Sequence, residues 1–250
     1  MLYVKMKILI KILSIFYLIF FFYLSILYAD NDYLDFANSL FDEGRFIESV
    51  NEASKFETLE AKVFCARTLA TYGHFLLEGD EAIENFMTAR AYAEEALKID
   101  PNSDKAHVEA AHTMGRYSQL IGIVTALKEG FAERIEVHLD EAIKLNSDNV
   151  NAQIAKGSWH AEIVDKAGFM ANILYGAKSE KAREHYSNAL NIENNQIGVL
   201  YEIAYGYFLL DDRDDLIKSK ELLLKASKLE PKNYLDNLYM KKITSLLNKL

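Results

Sequence analysis

From about residue 32 onward the apolar positions fall three and four apart in long stretches, and short polar turns separate the stretches. That period is the signature of helices with one buried face, and strand-like alternation is not the rule anywhere in this region. The opening segment, "YLDFANSLFDEGRFIESVNEA", reads as two short helices joined at Gly44, with Ala37 before the turn and Phe46 after it. Continued along the chain, the pattern predicts helix pairs at 32–56, 58–99, 103–145, 149–191 and 196–229, then a closing helix at 233–249. The first 29 residues differ: three lysines and no acid precede the apolar run "ILSIFYLIFFFYLSILYA" from Ile12 to Ala29.

The helical stretches repeat. Ala96, Ala142, Ala189 and Ala226 sit in "AEEALKID", "LDEAIKLN", "YSNALNIE" and "LLKASKLE", at intervals of 46, 47 and 37 residues. Five residues after them come Pro101, Ser147, Asn194 and Pro231, so both prolines of the chain share one place in the repeat. A proline there ends one helix and suits the first turn of the next, because it lacks the N–H that a helix interior needs. Ala111, Gly157 and Ala204 follow Ala96, Ala142 and Ala189 by 15 residues, where a small side chain lets two helices approach closely. Small residue, glycine turn, aromatic and second helix is a pattern that resembles the tetratricopeptide (TPR) repeat across most of the chain after residue 30. The resemblance implies an all-α, TPR-like right-handed α-solenoid, a superhelix of antiparallel helix pairs in which each pair buries the apolar face of its neighbour. Residues 30–250 then form one repeat domain with 233–249 as its cap, where Lys241 and Lys242 replace the expected small residue and give a polar end.

Two of the intervals exceed the usual length of about 34 residues. The excess lies between the two helices of a pair, in "QLIGIVTALKEGFAERIE" and "DKAGFMANILYGAKSEKA", which match through glycines eight apart: Gly122 and Gly130, Gly168 and Gly176. Stretches this apolar should extend the first helix and fold back on the solenoid, or present a greasy surface. Ile121, Ile123, Phe131, Phe169 and Met170 are the candidate contacts. From Tyr92 to Ala189 the text is similar to the TPR-like domain of the regulator of microtubule dynamics family, through "YAEEALKIDPNSDKAH", "KEGFAERIEVHLDEAIKLNSDN", the Gly157–Trp159 neighbourhood, and "ILYGA" before "AREHYSNAL". That resemblance implies a membrane-tethered adaptor, with lipid binding attributed to the domain in some members. In style of repeat only, the chain is also similar to TPR subunits that accompany periplasmic solute transporters. The acidic body and the expected export signal give no reason to look for tubulin as partner.

Composition narrows the function classes. Two prolines and 11 glycines in 250 residues are too few for a many-stranded fold. A formal charge of -9 without any basic stripe argues against nucleic acid. Residues 1–29 are expected to be a cleaved signal peptide, with an anchor at 12–29 as the alternative, since 18 apolar residues reach the lower limit for a span. Cleavage would remove three of the 28 basic residues and none of the 37 acids, leaving 25 minus 37, or -12, on an exported, periplasmic body.

Candidate chemistry is sparse. Cys65 stands alone in apolar helical text, so it reads as core packing and no intramolecular disulfide can form. The six histidines have no paired metal-ligand spacing: His107 and His112 are five apart on different helix faces, and His112 could meet His160 only by stacking of units. No phosphate-binding glycine loop or nucleophile elbow occurs, and "LLDDRDDL" reads as a solvated turn with a helix-capping aspartate. No enzyme, metal or cofactor is expected. In the TPR pattern the concave groove is lined by set positions of each first helix: here Lys105, His112 and Arg116, then Asn151, Ser158 and Glu162, then Tyr201, Tyr205 and Phe208. A groove running from basic to polar to aromatic suits a protein or peptide partner, or a lipid as the alternative, unless the three aromatics are packed against a neighbouring helix. Trp159, beside Gly157, is assigned to the core.

Overall fold

The computed structural model describes residues 32–250, and the export or anchor segment lies outside them. After a 3-10 turn at Asp32–Leu34 the chain forms antiparallel hairpins: α1 (Asp35–Asp42) with α2 (Phe46–Ala53), and α3 (Leu59–Leu76) with α4 (Gly79–Ile99). Two longer units follow. In one, α5 (Asp104–Ile121) and α7 (Phe131–Leu145) flank the short α6 (Ile123–Lys128); in the other, α8 (Val150–Ala167) and α10 (Ser179–Ile192) flank α9 (Met170–Tyr175). The last hairpin is α11 (Ile197–Leu210) with α12 (Arg213–Ala226), and α13 (Tyr234–Leu247) ends the chain. Among the described residues there is no strand, and no helix is long and apolar enough to cross a membrane.

The three middle hairpins and the closing helix start the same way because the same local chemistry recurs, whereas α1 and α11 have no side-chain cap. The side chains of Thr58, Ser103, Asn149 and Asn233 accept the backbone N–H three residues on, at 3.3, 3.2, 3.0 and 2.9 Å. Such caps satisfy an otherwise orphaned donor and contribute about 1 kcal/mol each. The residue after the capped alanine faces the second helix of its own unit, and the chemistry of that contact changes along the stack. Lys62 lies over the Tyr92 ring at 5.5 Å, the His107 and His138 Nδ1 atoms are 2.9 Å apart, and Gln153 meets His185 Nδ1 at 2.7 Å.

Small residues let the layers close. The Ser49 hydroxyl donates to the Ala37 carbonyl and Ser219 to that of Ala204, both at 2.7 Å, so the first and last hairpins share one short contact. Tyr186 of α10 is fully buried and wedged between two glycines. A Cβ built on Gly157 would lie 2.5 Å from its ring, and one on Gly206 would lie 1.8 Å from its hydroxyl oxygen. Trp159 is buried as expected and donates from Nε1 to the Ala132 carbonyl at 3.0 Å. Cys65 is fully buried, and burial pushes its thiol up to about 12, which leaves it an inert packing group.

The closing helix does more than cover an end. Leu238 packs into the cluster of Phe41, Phe46 and Phe64 in the first units, while Ile243 and Leu246 pack with Leu200, Ile203 and Leu223 in the last. Gly44, at φ 81°, would place a Cβ 2.5 Å from the Tyr234 ring, and Asn233 donates to Asp42 at 3.2 Å. The superhelix therefore returns on itself, with α13 joining its two ends.

Gly206→Ala is expected to lower stability by about 2–3 kcal/mol, because Tyr186 cannot move aside without opening the core. Gly115→Ala, a helical site with nothing within 4 Å of the new Cβ, should raise it by up to about 1 kcal/mol. Urea unfolding of the two variants reads both signs, and equal effects would mean that the wedge is not what holds these units.

Candidate functional site

The inner wall of the superhelix is built from the first helix of each pair. Its curvature is tight: Arg116 on α5 lies 3.8 Å from Glu202 on α11, two units further along. Between them, Gln119 of α5 donates to both carboxylate oxygens of Glu162 on α8, at 3.0 and 2.9 Å. Tyr239 of α13 enters this wall, donates its hydroxyl to Glu202 at 3.1 Å, and tilts against Tyr201 with ring centroids 5.4 Å apart. From there a ladder of rings continues outward: Tyr201 stacks on Tyr205 at 6.2 Å, and Tyr205 on Phe208 at 6.4 Å.

The nine expected groove residues divide accordingly. Lys105 and Asn151 are at least partly open to solvent, His112, Ser158, Glu162 and Phe208 are half-buried, and Tyr205 is 36% exposed. Tyr201 is buried, because α13 covers the end of the groove, so its ring is part of the core. Arg116 is 17% exposed and makes one long hydrogen bond, from Nε to His112 Nε2 at 3.4 Å. Arg116 is consequently not the free surface cation that its spacing suggested. Ser158 lies under Tyr186, whose hydroxyl donates to it at 3.4 Å.

The insertions split in the same manner. Both take the fold-back form, as short turn helices after Gly122 and Gly168. Phe131 is fully buried beneath Tyr117 and between Arg90 and Arg134, so it is a core residue and no surface contact. Ile121 packs against the same cluster, Met170 is half-buried, and the side chain of Ile123 lies outside the described set. Phe169, by contrast, is 85% exposed, and Ile173 and Leu174 beside it are exposed as well.

Several inner-wall residues were not assigned to the groove by spacing: His74, Gln119, Glu202 and Tyr239, together with Lys242, expected only as part of the polar cap. His74 occupies in α3 the register that Gln119 occupies in α5, 45 residues on, so the repeat alone could have paired them. Its ring lies in a small cleft with Gly73, Leu77, Phe86, Arg116 and Gln119. Burial, then the charges of Arg116, Lys242 and His112, push its pKa down to about 2. Burial also depresses His160, to about 4, and lowers His138 and His185. No group of three or more His, Cys, Asp or Glu able to hold a metal occurs among the described residues.

Stacked hairpins with a narrow inner wall define a TPR-like solenoid. Among solved structures the chain is similar to a thermophilic TPR protein of Thermus thermophilus, at 17% identity and a TM-score of 0.56, covering 86% of this chain and 98% of that one. It also matches YrrB, described as a TPR protein with an unusual peptide-binding site, at 16% identity and a TM-score of 0.39, covering 84% and 90%. No curated protein matches the chain. The family profile described as "Regulator of microtubule dynamics protein 1-3" matches residues 36–250, and the chain belongs to that family.

Two outcomes follow from this geometry. Leu238→Ala should cost about 2–4 kcal/mol and speed amide exchange in α1 and α2 as well as in α11, since α13 ties both ends. Loosening confined to α11 and α12 would show a simple end cap. The four depressed histidines bind fewer protons folded than unfolded, so their contribution is present above the unfolded value of about 6.5 and is lost as pH falls toward the folded values. The urea midpoint should therefore drop between pH 7 and pH 4.5, and His160→Gln should flatten the drop. An unchanged midpoint across that range would contradict the sign.

Proposed function

We propose that this chain is a non-enzymatic adaptor of the cell envelope that holds a protein or peptide partner on the inner wall of its solenoid. The observation that carries the reading is the stacked ladder from Tyr201 to Phe208. It includes a partly exposed ring, Tyr205, on the wall that also carries Glu162, bonded to Gln119, and His112, bonded to Arg116. Rings held by a rigid helix offer apolar area at little entropic cost, and neighbouring polar groups fix orientation. Because α13 already occupies one end of the wall, the partner is a short or single segment that lies on α5, α8 and the outer half of α11. An accessory role beside a periplasmic transporter fits the same geometry.

Export is part of this reading. The lysines and apolar run of residues 1–29 support delivery to the periplasm, with retention at the inner membrane through 12–29 as the alternative. A second reading, a carrier of lipid or of a small amphipathic ligand, is favoured by Phe169, Ile173 and Leu174, which place three large apolar side chains in solvent around one short helix.

A photo-crosslinking residue at Tyr205 should trap a discrete polypeptide in the envelope, and the same residue at Ile217, exposed on α12, should not. Equal trapping at both positions, or none at Tyr205, rejects the groove. The carrier reading instead requires lipid-sized adducts in native mass spectra of gently purified protein, reduced severalfold by Phe169→Ser with Ile173→Ser.

A further inference from the structure

The cleft between α3, the start of α4 and α5 encloses roughly 90 Å³, and Gly73, His74, Leu77, Ala82, Phe86, Arg116, Gln119 and Leu120 surround it. That is room for about three waters or for one small oxyanion. Its polar lining is unusual in a chain whose formal charge is -9. The guanidinium of Arg116 carries five N–H donors; Glu202 is its ion-pair partner at 3.8 Å, too far for a hydrogen bond, and its one hydrogen bond is the 3.4 Å contact to His112. Lys242 of α13, 5.8 Å from the Phe75 ring centroid, has no carboxylate in ion-pair range among the described residues. The acids that share this wall are already engaged: Glu202 accepts from Tyr239 and Glu162 accepts twice from Gln119. His112 turns its Nδ1 toward the buried Glu109, 3.6 Å away. A half-buried guanidinium with idle donors and an imidazole thus line one cleft, and the Lys242 ammonium lies just outside that lining, beside Phe75.

We infer that this cleft is a binding site for a single oxyanion group, of carboxylate or phosphate size, held by the Arg116 guanidinium and the His74 imidazole with Lys242 contributing charge. The inference deepens the adaptor reading by naming what the partner presents at this end of the wall, an acidic terminus or side chain; a phosphate group offers the same chemistry. Arg116 supplies charge-assisted donors that need no protonation change. His74 is held neutral first by burial and then by the charges of Arg116 and His112 on α5 and Lys242 on α13, while α4 contributes only Ala82 and Phe86 to the lining. An oxyanion among those cations reverses the balance and favours the protonated ring. Binding is thereby coupled to proton uptake and strengthens as pH falls.

The test is nitrogen-15 NMR of the histidine side chains in the full chain, held in a nonionic detergent, titrated from pH 8 to 4 with and without sodium sulfate. Sulfate keeps its charge across that range, and sodium chloride at equal ionic strength is the control. The expected result is that sulfate raises the midpoint of His74 by a unit or more, that chloride does not, and that Arg116→Gln abolishes the shift. Lys242→Gln should weaken sulfate binding at least twofold, and it carries the test if the Arg116 variant does not fold. A His74 midpoint unmoved by sulfate, or moved equally in both variants, overturns the site. Competition at pH 7.5 by acetate or by methyl phosphate then distinguishes a carboxylate source from a phosphate source, and failure of both to compete also overturns it. Sulfate binding without cross-linking at Tyr205 would leave this site standing and remove the adaptor reading.

Discussion

The close approach of successive helices at Gly157 and Gly206, with the fully buried Tyr186 locked between them, sets the geometry on which the rest of the molecule depends. A hairpin in a solenoid has an apolar face that it cannot bury alone, so each layer must dock on the next, and the spacing at the contact fixes the turn between layers. Here that spacing is short. The curvature it produces brings α5 within reach of α11, as the Arg116–Glu202 separation shows, and α13 bridges the two ends. The groove is thus a consequence of three glycines and two tyrosines, since Gly44 in turn gives Tyr234 of the closing helix its seat.

Charge is distributed to match this arrangement. The buried charges of the stack are neutralised where they sit: Lys62 by Glu57 and Glu95, Lys156 by Glu136 and Asp140, and the buried Asp215 by the half-buried Arg183, which also meets Asp212. Leaving any of them unpaired at such depth would be costly, because burial withdraws water from the charge. Asp212 and Asp215 of "LLDDRDDL" belong to this pattern, for they hold α12 against Arg183 of α10. Against that background Arg116 and Lys242 stand out as cations to which no carboxylate of the inner wall is hydrogen-bonded, with the uncharged His74 in their company.

One position shows how little a repeat constrains its own chemistry. Lys62 with Tyr92, His107 with His138 and Gln153 with His185 perform the same task, joining the start of one helix to its partner, by a cation over a ring, an imidazole pair and an amide–imidazole bond. Packing fixes the distance there, and any pair of the right reach satisfies it. Similarity between units at that position is consequently invisible in the letters and plain in the structure.

The amino-acid order by itself determined the helices and their pairing. Helix period, capping residues before Ala61, Ala106 and Ala152, and the turn prolines are local signals, so each helix pair fell close to its expected bounds. The order also marked the insertions as apolar and gave them the glycines that start and end their turn helices. It could not say which of their residues face inward: Phe131 and Ala177, each just after the second glycine of its insertion, went to one core cluster, while Phe169, just after a first glycine, went to solvent. Nor could spacing reveal that Tyr201 is covered and Arg116 half-enclosed. Those facts depend on where α13 comes to rest, far along the chain from both, and that was decided by the curvature of the whole stack, a sum of small rotations that no single stretch of the chain encodes.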